Sequence, residues 1–343
     1  MSAQLGGPPR APEPPTGCPA PSVRVLRAAP GGPPLDEVER RLVDLLQEDG
    51  RTPYAELGRR LGVTERTARR KVAGLQDRGV LQITAVTDPE VLGYASMALL
   101  ALTVGNGATT DELAARIVRL PEVDYVAVTT GQFALQVEVL CRDSAALREL
   151  VDTQFRLLPG VTAVDVLPFL RLHYQQARFN AERLENAPGV RPTMMDPVDR
   201  FVVTQLAIDG RMPFSDIAAR LGVSETMVRQ RFQRLSGSGV VKVMSIANPL
   251  TLGYAATAWL GIRVAPQARA LDVAEQLTAL PAVSYVAITA GRCDVLAEVV
   301  CEHREDLLAL VDEQVRRISG VAAVDVAIYL DLLYKPLLPY QVG

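Results

Sequence analysis

The sequence has few of the residues that build metal centres, disulfide frameworks or catalytic triads. Of its 343 residues, four are cysteine and two are histidine, and no cysteines form a C-x-x-C pair. We therefore expect no metal site, no cofactor and no catalytic residue. The longest apolar stretch, residues 95–104, is about half as long as a membrane-spanning helix needs. The first residues also lack the apolar segment of a secretion signal, so we expect a cytoplasmic protein with no membrane partner.

The chain also has no overall excess of basic residues. Its formal net charge is −3, so any contact with nucleic acid must come from a local basic patch. Hydrophobic residues make up 48% of the chain, which is enough for packed cores, and the length predicts at least two domains. Ten of the first 34 residues are proline. This composition predicts a disordered tail over residues 1–34.

The most informative feature is an internal repeat at an offset of 160 residues. Asp49-Gly50-Arg51 recurs as Asp209-Gly210-Arg211, and Leu92-Gly93-Tyr94 recurs as Leu252-Gly253-Tyr254. The repeat spans 35–174 and 195–334. It indicates a duplicated module rather than a solenoid, because its period is far longer than a solenoid repeat. Residues 175–194 are predicted to join the two copies.

Within each copy the hydrophobic period changes once, from helical to strand-like. The first part predicts three helices, at 36–48, 54–61 and 65–77. The second part predicts strands and helices in the order βαββαβ, the ferredoxin-like motif. In the first copy these elements lie at 94–104, 111–119, 123–130, 133–141, 144–157 and 161–171. In the second copy they lie at 254–264, 270–279, 283–290, 293–301, 304–318 and 321–332.

The second and third helices of each copy have the features of a helix-turn-helix. Gly62 and Gly222 lie between them, where a tight turn needs a permissive backbone. Thr64 and Ser224 follow at the N-cap, where a side-chain oxygen accepts from free amides of the first turn. The third helix therefore has a defined start in both copies.

The third helix and its surroundings are basic within an acidic chain. Residues 58–72 carry a local charge of +5, and residues 218–234 carry +3. A solvated arginine-rich face is the alternative, but two such helices with matching turns and caps favour phosphate contact. Side chains early in such a helix can reach base edges in a major groove, where arginine binds guanine and glutamine binds adenine. The candidate DNA-binding residues are Arg59, Thr64, Arg66, Thr67, Arg69, Arg70, Lys71, Ser224, Thr226, Met227, Arg229, Gln230 and Arg231.

These residues, together with Asp88-Pro89 and the Leu-Gly-Tyr motif, resemble the Lrp/AsnC (feast/famine) family of transcriptional regulators. The resemblance covers about four-fifths of the chain, as two consecutive copies of the family's module. It implies an α+β fold with two copies of a winged helix-turn-helix followed by a ferredoxin-like βαββαβ effector domain (RAM/AsnC-type). It also implies promoter DNA, an amino acid-like small-molecule effector and further copies of the chain as partners. The implied helix-turn-helix domains are 35–85 and 195–245, and the implied effector domains are 90–174 and 250–334, with a C-terminal tail over 335–343.

The resemblance places an effector loop, usually Thr-Gly-x-x-Asp, between the second and third strands of the effector domain. The second copy has Gly291-Arg292-Cys293-Asp294, whereas the first has Ala134 where the carboxylate belongs. A carboxylate there can accept from an amino acid's ammonium group, so Asp294 favours a site in the second copy. The candidate effector-binding residues are Gly131, Gln132, Gly291, Arg292, Asp294, Leu296 and Glu298.

Strand alternation predicts which face of the sheet each of these side chains occupies. Cys293, Val295, Ala297 and Val299 should face the helices, with Phe133 equivalent to Cys293, and Asp294, Leu296 and Glu298 should face the opposite side. The family resemblance implies that this opposite face pairs with another effector domain. A chain with two such domains can make that pairing internally, as a pseudo-dimer with two unlike DNA-reading heads that favours an asymmetric operator.

Two other functions compete with ligand-modulated DNA binding. Sirohaem decarboxylases share this doubled architecture, so fold alone does not separate them. The resemblance places their histidines and arginines in a cleft of the effector domains, but here residues 95–104 and 255–264 contain no histidine and only Arg263. We therefore do not expect an enzyme. The other alternative is a ligand sensor whose DNA-binding heads are vestigial.

Overall fold

The computed structural model of the chain describes residues 24–27, 34–175 and 195–339. Most of the predicted joint, most of the predicted N-terminal tail and residues 340–343 lie outside these ranges. No helix within them combines the length and apolar character that crossing a bilayer would require.

The first copy has three helices followed by alternating strands and helices, as its periodicities predict. After a short strand β1 (Leu26–Arg27), its elements are α1 (Glu37–Glu48), α2 (Tyr54–Leu61), α3 (Glu65–Asp77), β2 (Leu81–Thr87), α4 (Pro89–Leu92), β3 (Ser96–Val104), α5 (Thr110–Ile117), β4 (Val123–Thr129), β5 (Leu135–Cys141), α6 (Ser144–Leu150) and β6 (Val161–Gln175). The helix predicted at 144–157 is shorter as an α-helix, because α6 passes into a π-helical turn, Val151–Phe155.

The second copy repeats this order element by element. It contains α7 (Pro197–Ile208), α8 (Phe214–Leu221), α9 (Glu225–Gly237), β7 (Val241–Ala247), α10 (Pro249–Leu252), β8 (Ala256–Val264), α11 (Ala270–Thr278), β9 (Val283–Thr289), β10 (Val295–Cys301), α12 (Arg304–Ala309) and β11 (Val321–Tyr334). The helix predicted at 304–318 also passes into a π-helical turn, Leu310–Gln314, and then into a 3₁₀ turn, Val315–Arg317.

The two ferredoxin-like sheets join into one closed antiparallel barrel. The first copy supplies the strand order β4-β5-β3-β6, and the second supplies β9-β10-β8-β11. Strand β6 continues from its own sheet to pair with β9, and β11 continues from its own sheet to pair with β4. The predicted pairing of the two effector domains within one chain is therefore confirmed.

Each sheet buries one face under its own helices and the other inside the barrel. Val295, Ala297 and Val299 pack with the helices, whereas Leu296 lies in the cluster between the two sheets, as alternation predicts. Cys293 was expected with the helices but lies in the inter-sheet cluster, with its equivalent Phe133 against it. Both residues precede their strands, so the turn and not the pleat sets their direction.

The helical parts of the two copies, α1–α3 and α7–α9, are called the heads, and a shared ribbon joins them into one unit. Strands β2 and β7 pair antiparallel from Leu81↔Ala247 to Thr87↔Val241. This single ribbon stands where the resemblance implies a separate wing in each copy. Gly50 and Gly210 lie against it, and a Cβ at either position would come within 3.0 Å of atoms in the ribbon. These two positions therefore require glycine for close approach.

Both ends of the described chain pack against the rest of the molecule. The tail predicted over 1–34 includes β1, which pairs with β11 (Leu26↔Tyr334) and buries Leu26. In the predicted C-terminal tail, Lys335 is buried, and the backbone carbonyl of Leu338 accepts from the Tyr94 hydroxyl at 2.8 Å. At β1, backbone pairing with β11 and the burial of Leu26 outweigh the composition that predicts a disordered tail.

Candidate nucleic-acid interface and barrel cavity

The helix-turn-helix geometry follows from a glycine and a capping hydroxyl in each copy. Gly62 and Gly222 end α2 and α8 in the left-handed region, with φ of 68° and 72°. The Thr64 and Ser224 hydroxyls each accept from the backbone amide three residues later, at 3.2 Å. These two side chains therefore start α3 and α9, as the sequence predicts.

Helix α3 presents free positive charge to solvent. Arg66 and Arg70 are exposed, and neither forms an ion pair with any residue in the described part of the chain. Arg69 is exposed but contacts Glu65 at 3.2 Å, and Arg59 on α2 contacts Glu56 at 2.5 Å. The unpaired guanidinium groups are the ones best placed to bind an external anion.

Helix α9 presents a more neutral face at the same positions. Thr226, Met227 and Gln230 are exposed there, and Arg229 contacts Glu225 at 2.5 Å. Met227 is 38% exposed, which is uncommon for a large apolar side chain. This face can donate and accept hydrogen bonds and can meet an apolar group, but it carries less free charge than α3.

Two residues predicted to bind DNA point elsewhere. Lys71 contacts Asp36 at 2.5 Å, and this hydrogen bond lowers the pKa of the Asp36 carboxyl. Arg231 binds Asp196 and Asp199, which are equivalent to Asp36 and Glu39 of the first copy. Because these carboxylates cap the first helix of each head, they draw Lys71 and Arg231 toward it and away from the exposed face of α3 and α9.

Arg51 and Arg211 have a role that sequence patterns alone did not predict. Arg51 donates to the carbonyls of Gly210 (2.7 Å) and Met212 (3.3 Å). Arg211 donates to those of Gly50 and Thr52, both at 2.8 Å. The signal was the repeated Asp-Gly-Arg motif, whose glycine permits close approach while its arginine reaches into the other copy.

Aromatic rings complete this reciprocal contact, which we call the arginine clasp (Arg51 and Arg211 with their partners). The Arg51 guanidinium lies 4.3 Å from the ring centroid of Phe214, and that of Arg211 lies 4.0 Å from that of Tyr54. Burial lowers the pKa of both guanidinium groups. Since each ring lies on the helix that precedes α3 or α9, the clasp fixes the two heads relative to one another.

A second candidate site is a cavity of about 230 Å³ at one mouth of the barrel, here called the mouth cavity. Both copies line it, through the loops before β5 and β10 and through inward side chains of the strands. Its lining residues are Leu99, Ala101, Thr130, Gly131, Gln132, Phe133, Gln136, Leu167, Trp259, Gly261, Arg292, Cys293, Leu296, Asp325, Val326 and Ala327. An eight-stranded barrel has room for side chains or for one small ligand.

Arg292 organises the polar side of this cavity. Its guanidinium donates to Gln132 Oε1 at 2.8 Å and to Asp325 Oδ2 at 3.3 Å, and it lies 4.7 Å from the Phe133 ring centroid. Leu99 and Trp259 add apolar surface to the lining. Burial raises the pKa of the Cys293 thiol to about 11, so this cysteine is not a ready nucleophile. The arrangement suits a small ligand with charged and apolar parts.

Only some of the predicted effector residues meet at this cavity. Gly131, Gln132, Arg292 and Leu296 line it, whereas Gly291, Asp294 and Glu298 do not. The Asp294 carboxylate accepts from the Val264 amide at 2.7 Å, at the end of β8. Glu298 lies deeper and accepts from Ser284 and Tyr329. Asp325, which was not predicted from the sequence, supplies the carboxylate at the cavity.

Family models match both parts of each copy. An AsnC-type helix-turn-helix domain matches residues 35–76 and again 195–236. An Lrp/AsnC ligand binding domain matches 97–179, and a C-terminal dimeric alpha+beta barrel domain matches 268–336. These matches fall on the heads and on the barrel described above.

Individual relatives are similar to one copy of the chain. The HTH-type transcriptional regulator FL11 of Pyrococcus horikoshii is 31% identical over 41% of this chain and 92% of its own length. The HTH-type transcriptional regulator LrpA of the same organism is 33% identical over 41% of this chain and 99% of its own length. The crystal structure of the siroheme decarboxylase NirDL matches 90% of this chain and 95% of its own, with a TM-score of 0.58 and 19% identity. This last likeness shows a shared two-copy fold.

Proposed function

The chain belongs to the Lrp/AsnC family of transcriptional regulators, and from this premise we propose that it binds promoter DNA through two unlike heads under the control of a small metabolite. The unpaired, exposed guanidinium groups of Arg66 and Arg70 carry this proposal. They lie in the first two turns of a capped helix, the part of such a helix that enters a major groove. Arginine there binds phosphate or the edge of guanine.

The two heads read different sequences. The first head offers two free arginines, and the second offers Thr226, Met227 and Gln230 at the same level of the helix. Gln230 suits adenine, and Met227 suits the methyl group of thymine. Because the arginine clasp holds the heads together, the operator has two unlike half-sites at a fixed spacing. A palindromic operator would match only one head.

The effector binds in the mouth cavity and is an amino acid or a related small molecule. Arg292 pairs with its carboxylate, Asp325 receives its ammonium group, and the wall of Leu99, Leu296 and Trp259 packs on its apolar part. In this arrangement Asp325 takes the place of Asp294 as the ammonium-binding group, since Asp325 lines the cavity and Asp294 does not. Binding there bridges both copies, so the effector can bias how the two halves pack.

The relatives at 31–33% identity are named transcriptional regulators, and the proposed function is DNA binding without an enzymatic role. The likeness to a siroheme decarboxylase concerns the fold and carries no activity to this chain. The cytoplasmic location and further pairing between chains stay predictions.

The test is a fluorescence-anisotropy titration of a duplex that the protein selects from a random-sequence library. We expect an affinity that falls steeply with salt, because each phosphate contact releases a counterion. Arg66→Ala/Arg70→Ala should weaken binding and flatten the salt dependence, whereas Arg148→Ala, at an exposed position of α6, should do neither. Absent or salt-insensitive binding would instead indicate a sensor with vestigial heads.

The same titration with a panel of amino acids tests the effector site. Arg292→Ala should remove the effect of the active compound and leave ligand-free DNA binding intact. Arg316→Ala, at a surface ion pair with Asp312, is the control that should retain the response. A response that survives Arg292→Ala would place the effector elsewhere.

A further inference from the structure

The end of the barrel opposite the mouth cavity holds a second, smaller cavity. Strand β3 lines the mouth cavity with Leu99 and Ala101, and it lines the smaller one with Met97. The smaller cavity measures about 40 Å³ and lies beside Val86 and Thr87 of the ribbon. We call it the carboxyl cavity, because Asp124 and Glu138 both line it.

Each of these two acids has an oxygen without a hydrogen-bond partner. Asp124 is 7% exposed and Glu138 is 2% exposed. Glu138 Oε1 accepts from the Tyr285 hydroxyl at 3.1 Å, but within the described ranges nothing donates to Glu138 Oε2 or to Asp124 Oδ1. Buried acceptors without a donor are costly, so this pair calls for a partner.

The second copy shows how such a position is satisfied without a ligand. At the place of Asp124 it has Ser284, whose hydroxyl donates to Glu298 Oε2 at 2.6 Å. The Tyr329 hydroxyl donates to Glu298 Oε1 at 2.7 Å, which completes the set. Aspartate in place of serine therefore turns a self-contained pair into two acceptors that face one cavity.

The charged groups around the carboxyl cavity define which ligand can fill it. Lys335 is 8% exposed, attracts Asp124 and donates to the carbonyls of Leu120 and Pro121. With both carboxyls ionised, one ammonium group against two carboxylates leaves a single negative charge. Burial raises the pKa of the Asp124 carboxyl to about 7 and that of Glu138 well above its usual range, so without a bound cation a proton offsets this charge, and a cation has to displace that proton. The partner must bring one positive charge and N–H donors.

We propose that the carboxyl cavity binds one small protonated amine, ammonium or methylammonium, between Asp124 Oδ1 and Glu138 Oε2. The volume admits only a few heavy atoms, since a cavity of about 10–15 Å³ already holds one water. The remaining walls, Leu92, Met97 and Leu337, are apolar and suit a methyl group. This site is separate from the mouth cavity and does not depend on the effector proposed there.

Thermal unfolding of the full chain at pH 7.5 tests the proposal, with sodium chloride replaced stepwise by ammonium or methylammonium chloride. We expect the midpoint to rise by about 2 °C or more near saturation, because the ligand binds the folded state alone. Tetramethylammonium has one charge but no N–H group and is too large, so it should give no rise. Glu138→Gln should abolish the rise, and Glu298→Gln, outside the cavity, should retain it.

Asp124→Ser is the second variant, since the introduced serine can donate to Glu138 as Ser284 does to Glu298. It should fold and lose the response, which keeps the test decisive should Glu138→Gln not fold. Equal rises in the wild type, in Asp124→Ser and with tetramethylammonium would be a general salt effect and would overturn the proposal. A wild type that ignores both amines would also overturn it, because the carboxyl groups would then be satisfied by a proton or by water.

Discussion

The two copies differ on the exposed face of the third helix and agree in the arginine clasp through which they contact each other. On the exposed face of the third helix, Arg66 and Arg70 of the first copy correspond to Thr226 and Gln230 of the second. Inside the clasp, Arg51 and Arg211 make the same contacts in both directions. Duplication has thus kept the internal symmetry that holds the heads together, while the reading surfaces have become unlike.

This difference gives the doubled chain a capability that a symmetric dimer lacks. Two identical heads on a two-fold axis impose a palindromic site, because operator symmetry mirrors protein symmetry. In one polypeptide each head can change alone, provided the contacts between the copies stay intact. The clasp, the shared ribbon and the barrel are those contacts.

The largest expected effect tests the symmetric part. Arg51→Ala and Arg211→Ala should each lower the free energy of unfolding by about 2–4 kcal/mol, because each leaves two carbonyls without their charged donor and removes a cation–π contact. Urea unfolding measures this. Arg66→Ala, which removes an unpaired arginine, should change stability little. A loss confined to one of the two clasp variants would show that the clasp is not reciprocal.

The heads could be predicted from local sequence because their determinants are local. A glycine and a hydroxyl residue fix the start of α3 within a few residues, and the helix bounds 54–61 and 65–77 agree with the structure. Strand alternation likewise placed Leu296 inside the barrel. Such features depend on neighbours one turn or one pleat away, which a single sequence contains.

The partners of charged groups could not be predicted in this way. Asp294 accepts from an amide 30 residues earlier because the end of β8 leaves that amide free. Arg51 reaches carbonyls about 160 residues away, and Lys71 turns back to the cap of α1. Each of these contacts depends on how separate elements pack, which local sequence patterns do not indicate.

DNA binding should separate the two heads. Arg70→Ala should weaken binding to the selected duplex by about 1–3 kcal/mol, because it removes a bidentate contact to a base or a contact to phosphate. Gln230→Ala should cost less and change the preferred base in the other half-site, without altering the salt dependence. Fluorescence anisotropy at several salt concentrations measures both quantities. A larger loss for Gln230→Ala would reverse the assignment of the dominant head.

The pH dependence of stability should distinguish Asp124, in the carboxyl cavity, from Asp325, at the mouth cavity. Burial raises the pKa of Asp124 from 3.8 to about 7, so the folded state holds a proton that the unfolded state releases within this window. Stability should therefore fall as pH rises from 4 to 7. Asp124→Ser should reduce that fall by about 1–2 kcal/mol, in sodium buffers and by urea unfolding. Asp325→Asn, at an exposed carboxyl, should leave the fall unchanged, and an identical fall in Asp124→Ser would exclude Asp124 as its source.

The smallest effect concerns the caps, where the copies are again alike. Thr64→Ala and Ser224→Ala should each cost about 1 kcal/mol of stability, because each leaves the amide of residue 67 or 227 without its acceptor. Thr64→Ser and Ser224→Thr, which keep the hydroxyl, are the matched controls and should be nearly neutral. DNA affinity should fall further for Thr64→Ala than for Ser224→Ala, since a frayed α3 would misplace two free arginines and a frayed α9 would misplace none. Equal losses of affinity would mean that both heads contribute alike, despite their unequal charge.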